Sequence, residues 1–181
     1  LPNVDPDGLL EYSVVYTDRS LNHMSQQFQT VMRDISTTLK EVYNAHSAVI
    51  VPGSGTFGME AVARQFALKQ NTLVIRNGWF SYRWTQIIEM GHLTDQHTVL
   101  KARRVDEGDP QSPFVPAPAE EAAERIRQEK PAVVFAPQVE TSAGLLLPDD
   151  YIRSVAKATR DIGGLFVLDA IAAGTLWVDM Q

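Results

Sequence analysis

The run from Val49 to Ala61, Val-Ile-Val-Pro-Gly-Ser-Gly-Thr-Phe-Gly-Met-Glu-Ala, constrains the fold of this chain more than any other stretch. Ala48 to Val51 are apolar and mostly β-branched, the composition of a strand inside a parallel sheet. Gly53 and Gly55 permit a tight turn and let a ligand approach the main chain closely. Ser54 or Thr56 can cap the helix that follows, whose apolar residues Met59, Val62, Ala63 and Phe66 fall at helical spacing. A strand running through a glycine turn into a helix N-terminus makes an anion site, because unpaired N–H groups and the helix dipole both point at the ligand. The plainer alternative is a tight connection with no ligand.

Gly53-x-Gly55-x-x-Gly58 also fits the dinucleotide fingerprint. That fingerprint needs an acidic residue near the end of the next strand to hold a ribose hydroxyl. The next strand, Thr72 to Arg76, ends in Arg76-Asn77-Gly78 and offers no acid. Arg76 can instead meet a 2′-phosphate, so an NADP-dependent oxidoreductase stays open as a reading. The Gly-Lys-Ser/Thr phosphate loop is absent.

Hydrophobic periodicity extends the pattern in both directions. Met24, Phe28, Val31, Met32, Ile35, Leu39 and Val42 predict an amphipathic helix, with Ser20 or Asn22 as its cap. Residues 1–21 before it read as an extended arm, and residues 22–181 as one α/β domain. Ser81 to Met90 predicts a helix with Trp84, Ile87 and Ile88 inward, and His97 to Leu100 a strand. Asp106 to Pro118 is rich in proline and reads as a loop. Ala119 to Gln128 reads as a helix, Ala132 to Ala136 as a buried strand, and Pro148 to about Asp161 as a helix closed by Gly163-Gly164. Leu165 to Leu168 reads as another buried strand, running straight into Asp169. Strands alternating with helices predict a doubly wound, mostly parallel sheet flanked by helices.

Composition removes several function classes. The chain has 181 residues and a net charge of -6, which argues against a nucleic-acid surface. It has no cysteine, so disulfides and thiolate metal sites are excluded. His23, His46, His92 and His97 show no ligand spacing, and no metal is expected. No apolar run reaches the length of a membrane span, and Leu1 to Asp7 is polar and proline-broken, so a cytoplasmic protein is expected.

In open α/β sheets, ligands bind beyond the C-terminal ends of the strands. Those ends carry Gly53-Ser54-Gly55-Thr56, then Asn77-Gly78-Trp79-Phe80, then Gln138-Val139-Glu140-Thr141-Ser142-Ala143-Gly144, and finally Asp169-Ala170. An anion cradle, an aromatic plate, a hydroxyl cluster and a carboxylate suit a planar, phosphorylated, basic heteroaromatic ring. A carboxylate after four apolar strand residues is costly unless paired or hydrogen-bonded. Asp169 is therefore either a cap for the turn at Ala170 to Gly174 or the partner of a protonated ring nitrogen. Phe80 is either core or a stacking surface, and Thr141 and Ser142 are either turn formers or ligand contacts.

These segments, in this order, resemble the class V aminotransferases, pyridoxal-phosphate enzymes of fold type I that include alanine–glyoxylate and serine–pyruvate transaminases. The resemblance runs from His23-x-x-x-x-Phe28 to Asp169-Ala170. It implies that Ser54, Gly55 and Thr56 hold the cofactor phosphate. It implies that Phe80, in Asn77-Gly78-Trp79-Phe80-x-x-Arg83, stacks on the pyridine ring and that Thr141 lies near the ring oxygen. Asp169 is then the catalytic partner of the pyridinium nitrogen, and Ile171 the apolar contact on the other ring face. The implied activity is transfer of an amino group between a small amino acid and a 2-oxo acid, in a homodimer, with no nucleic acid or membrane as partner. A lyase of the same fold and a non-catalytic module are the alternatives. Lys40, Lys69, Lys101, Lys130 and Lys157 do not match the family's Schiff-base position. The chain is thus expected to be a large domain truncated before that lysine and before the C-terminal small domain, and to be inactive by itself.

Overall fold

The computed structural model describes residues 26–174, so the expected arm, both candidate caps of the first helix and Met24 lie outside the described residues. The chain divides into two units, residues 1–50 with 179–181 and residues 51–178. The first unit contributes helix α1, Gln26–Val42. Its apolar stripe is amphipathic as expected, yet Ile35 and Val42 remain exposed.

The second unit carries α2 (Gly55–Phe66), β1 (Thr72–Arg76), α3 (Trp79–Met90), β2 (His97–Lys101), β3 (Arg103–Arg104) and β4 (Phe114–Val115). It continues with α4 (Ala119–Glu129), β5 (Val133–Pro137), β6 (Val139–Glu140), β7 (Leu145–Leu146), α5 (Asp149–Asp161) and β8 (Leu165–Asp169). Four strands form one sheet in the order β2-β1-β5-β8. All three neighbouring pairs are parallel, with Leu73 opposite Val134 and Phe135 opposite Val167. The two central strands, β1 and β5, are almost wholly buried, which is why their sequences are continuous apolar runs rather than alternating ones.

Side chains alternate between two cores. Leu73, Ile75, Val134 and Ala136 pack with Ala122, Ile126, Ile152 and Val155 of α4 and α5. Val74, Val133 and Phe135 pack with Met59, Ala63, Trp84 and Ile88 of α2 and α3. Helices therefore cover both faces of a parallel sheet, and the doubly wound expectation holds. The Trp84 indole stacks on Phe135, with ring centroids 4.4 Å apart.

Three expectations need correction. Ala48 to Val51 forms no strand, and Val49 is 83% exposed. A β-branched apolar run asks for burial but does not supply the neighbour that a ladder requires. Likewise Leu165 is 41% exposed and the rest of β8 only half-buried, because β8 is the edge of the sheet rather than its interior. Phe66 is exposed although its spacing on α2 predicts an inward position. Two antiparallel ribbons also escape the sequence: β3, just before the expected proline loop, with β4 inside it, and β6 with β7 beyond β5.

Candidate functional site

The C-terminal ends of β5 and β8 and the N-terminal ends of α2 and α3 meet around a cavity of about 230 Å³. Thr56, Met59, Phe80, Arg83, Pro137, Val139, Thr141, Asp169, Ile171 and Ala172 line it. Of the residues expected at a ring-binding site, Thr56, Phe80, Thr141, Asp169 and Ile171 thus share one cavity. Ser54 and Gly55 stand just outside it, at the start of α2.

Ser54 occupies the N-cap position of α2, but its hydroxyl makes no capping hydrogen bond. Its carbonyl accepts the N–H groups of Phe57 and Gly58, at 2.9 and 3.4 Å. Among the described residues the N-cap side chain thus leaves the dipole end of α2 open to another partner. Gly53 has φ +137°, a conformation that L side chains rarely adopt, and this is what turns the chain into the helix. Gly55 serves a different need. A Cβ on it would lie 1.6 Å from Cδ1 of Ile171, so its backbone forms the floor against which Ile171 rests. Arg83 donates from Nη1 to Thr56 Oγ1 at 3.3 Å, and among the described residues no carboxylate pairs with it. A half-buried cation therefore stands beside the open helix end.

Asp169 is the last residue of β8 and is half-buried. Burial raises its carboxyl above the ordinary aspartate value, the backbone N–H of Ile171 and the side chain of Trp84 lower it, and the like charge of Glu140 raises it again, with a net rise. Its Oδ1 accepts the Ile171 N–H at 3.2 Å. The Trp84 indole N–H stands near the carboxylate but stops short of a hydrogen bond, leaving that buried nitrogen without a partner among the described residues. One oxygen of Asp169 thus caps the turn, as the first of its two sequence readings has it, and the side chain also lines the cavity.

Glu140 is 1% exposed and fully engaged. Its Oε1 accepts the Phe80 N–H at 3.1 Å and the Ser142 hydroxyl at 2.5 Å. Its Oε2 accepts the Ser81 N–H at 2.9 Å and the Ser81 hydroxyl at 2.6 Å. Burial pushes its carboxyl up, and these four hydrogen bonds, from Ser142, Ser81 and Phe80, outweigh it and hold the group below the ordinary glutamate value. Gly78 makes the approach possible: a Cβ there would lie 2.5 Å from Ser142 Oγ and 2.7 Å from Glu140 Cδ.

Other sequence expectations separate from the cavity. Arg76, the candidate 2′-phosphate partner, lies over the Tyr82 ring at 5.0 Å and is not part of the lining. Phe80 is half-exposed rather than core. Sequence reasoning overlooked Arg83 as a site residue, although it falls one helical turn after Phe80, and it overlooked Glu140, whose partners lie 59 and 60 residues away.

No protein-family model matches the chain, and no curated protein does. Solved structures do. The ureidoglycine–glyoxylate aminotransferase of Bacillus subtilis superposes with a TM-score of 0.67 at 22% identity, covering 83% of this chain and 36% of that one. The alanine–glyoxylate aminotransferase of a Nostoc species gives 0.64 at 22% identity, over 83% and 37%. The pyridoxamine–pyruvate aminotransferase of Mesorhizobium loti gives 0.65 at 15% identity, over 83% and 36%. The chain therefore has the fold of these aminotransferases and spans little more than a third of their length. Among the described residues no helix is long and apolar enough to cross a membrane.

Proposed function

We propose that this chain is the cofactor-cradling part of a pyridoxal-phosphate-dependent aminotransferase that moves an amino group between a small amino acid and a 2-oxo acid. The observation that carries the reading is Asp169: a half-buried carboxylate in a cavity whose lining also includes an aromatic ring and two threonines, with the N-cap of α2, which makes no side-chain cap, just outside it. The shared fold with the three aminotransferases supports the same conclusion.

The donor set fits the cofactor. Ser54, Gly55 and Thr56 take the phosphate at the open end of α2, with the charge of Arg83 beside it. Phe80 and Ile171 supply apolar surface for the ring, and the Thr141 hydroxyl serves its ring oxygen. Asp169 keeps the ring nitrogen protonated, because an ionised carboxylate beside a cation stabilises both charges. The bound group supplies an electron sink for carbanion chemistry at the amino acid's α-carbon. The protein's share is orientation, charge placement and exclusion of water.

Thermal unfolding of the chain with each candidate ligand tests the reading. Pyridoxal phosphate at about 100 times its dissociation constant adds about 2.7 kcal/mol, which at this chain length raises the midpoint by roughly 5–10 °C. NADPH is expected to leave it unchanged. Protection by NADPH alone, or by neither ligand, refutes the proposal.

A further inference from the structure

We propose that Glu140 is a positioning residue for the ring-binding cavity: its carboxylate grips the first turn of α3 and fixes where Phe80 stands. The role rests on the cofactor reading of the cavity and extends it to a residue that does not touch the ligand.

An ordinary helix start is capped by a short polar residue next to it in sequence. The start of α3 is held from far away. The Trp79 N–H donates to Ser142 Oγ at 2.8 Å, and those of Phe80 and Ser81 donate to the two oxygens of Glu140. The Ser81 hydroxyl accepts the N–H groups of Asn77 and Gly78 while donating to Glu140, which ties the turn before the helix into the same network. One buried anion therefore satisfies the dipole end of α3, where negative charge is favoured.

The placement gives this network its meaning for the cavity. Glu140 sits between Val139 and Thr141, both of which line the cavity. Its own side chain reaches α3 and holds the backbone of Phe80, a third lining residue. A buried carboxylate is expensive to desolvate, and apolar residues can join a strand end to a helix more cheaply. What an apolar pair lacks is direction. Two oxygens meeting two backbone N–H groups fix both the distance and the rotation of the turn that carries Phe80.

Glu140→Gln tests the idea. The amide keeps the length but turns one acceptor into a donor. In either orientation it faces one of the Phe80 and Ser81 N–H groups with an NH₂. The full chain is compared with the variant at a temperature where both are folded. Two probes are used, pyridoxal phosphate for the whole cavity and inorganic phosphate for the α2 end. The positioning role predicts about a tenfold loss of pyridoxal phosphate affinity, the lower end of what hydrogen bonds supporting the ligands of a bound metal contribute. It also predicts a changed visible circular dichroism band of the bound cofactor and unchanged phosphate affinity. A merely structural cap lowers the melting temperature and leaves affinity and band as in wild type, which overturns the proposal. If Glu140→Gln does not fold, Ser142→Ala takes its place: Ser142 is exposed, and its loss frees the Trp79 N–H and one donor to Glu140. The expected change is the same in direction and smaller, and unchanged affinity overturns the proposal. A wild-type chain that binds no pyridoxal phosphate overturns the functional reading itself, whereas wild-type binding with an indifferent variant overturns only the role of Glu140.

Discussion

Asp169→Asn lowers the affinity for pyridoxal phosphate roughly 10- to 100-fold while leaving the free chain at least as stable as wild type. The binding loss follows from charge. A charge-assisted hydrogen bond is worth about 1.5–3 kcal/mol, and about 1.4 kcal/mol is a factor of ten. The stability follows from the opposite sign. Burial and the neighbouring charge of Glu140 hold the Asp169 carboxyl above its ordinary 3.8. An acid whose folded value is raised favours its protonated form in the fold, so at neutral pH the ionised group costs the free chain stability. Asparagine removes that cost and still accepts the Ile171 N–H, as a cap should. The same sign sets the pH dependence. Binding that needs the ionised carboxylate is present at neutral pH and is lost as the pH falls through the raised value. Titration calorimetry and thermal melts on one variant pair measure all three effects, and equal affinities in the two proteins would sink the pyridinium role of Asp169.

Phe135→Ala removes about 3–5 kcal/mol of stability, the usual range for a buried aromatic cut to alanine. For a chain of this length the melting midpoint falls by roughly 6–20 °C. Phe135 is fully buried in the middle of β5 and stacks on Trp84. Its loss leaves a cavity between the sheet and α3, which neither element can fill without moving. Phe66→Ala, on an exposed side chain, is the control and changes the midpoint far less. The two substitutions also separate in binding: Phe135→Ala loosens the indole that stands near Asp169, while Phe66 does not line the cavity. Chemical denaturation of both variants decides the matter, and equal losses would show that the core is not organised around this stack.

What the sequence discloses depends on how local its cause is. The strand from Thr72 to Arg76 is read to the residue, since it is central and buried and its apolar run is therefore unbroken. Leu165 to Leu168 has the same kind of run, yet it is an edge, because strand order is a property of the whole chain. Val49 to Val51 misleads for a related reason: composition states a preference, and pairing decides. The two-residue ribbons are too short to show any period. At the cavity, Thr56, Phe80, Thr141 and Asp169 were legible because strand ends and glycine turns announce themselves, whereas Ile171 was named only through the family resemblance. Glu140 was not, since nothing within its own neighbourhood says that its partners open α3. Arg76 shows the converse, a residue with a plausible ligand that instead meets an aromatic ring.

The distant cap on α3 has a consequence for the order in which this molecule assembles. Hydrogen bonds spanning 59 and 60 residues can form only after the chain as far as Glu140 has been made and β5 has joined β1. Until then the first amides of α3 face water, and the helix starts wherever its own propensity lets it. Closing so long a loop is entropically slow to begin, so the two events arrive together. During refolding, pulsed hydrogen exchange is expected to show the Phe80 amide gaining protection in step with Val134 and not with the later turns of α3. Earlier protection of Phe80 would contradict this order. A chain built this way sets Phe80 in place in the same step that joins β5 to β1, and the cavity closes only when β8 brings Asp169 and Ile171 to it.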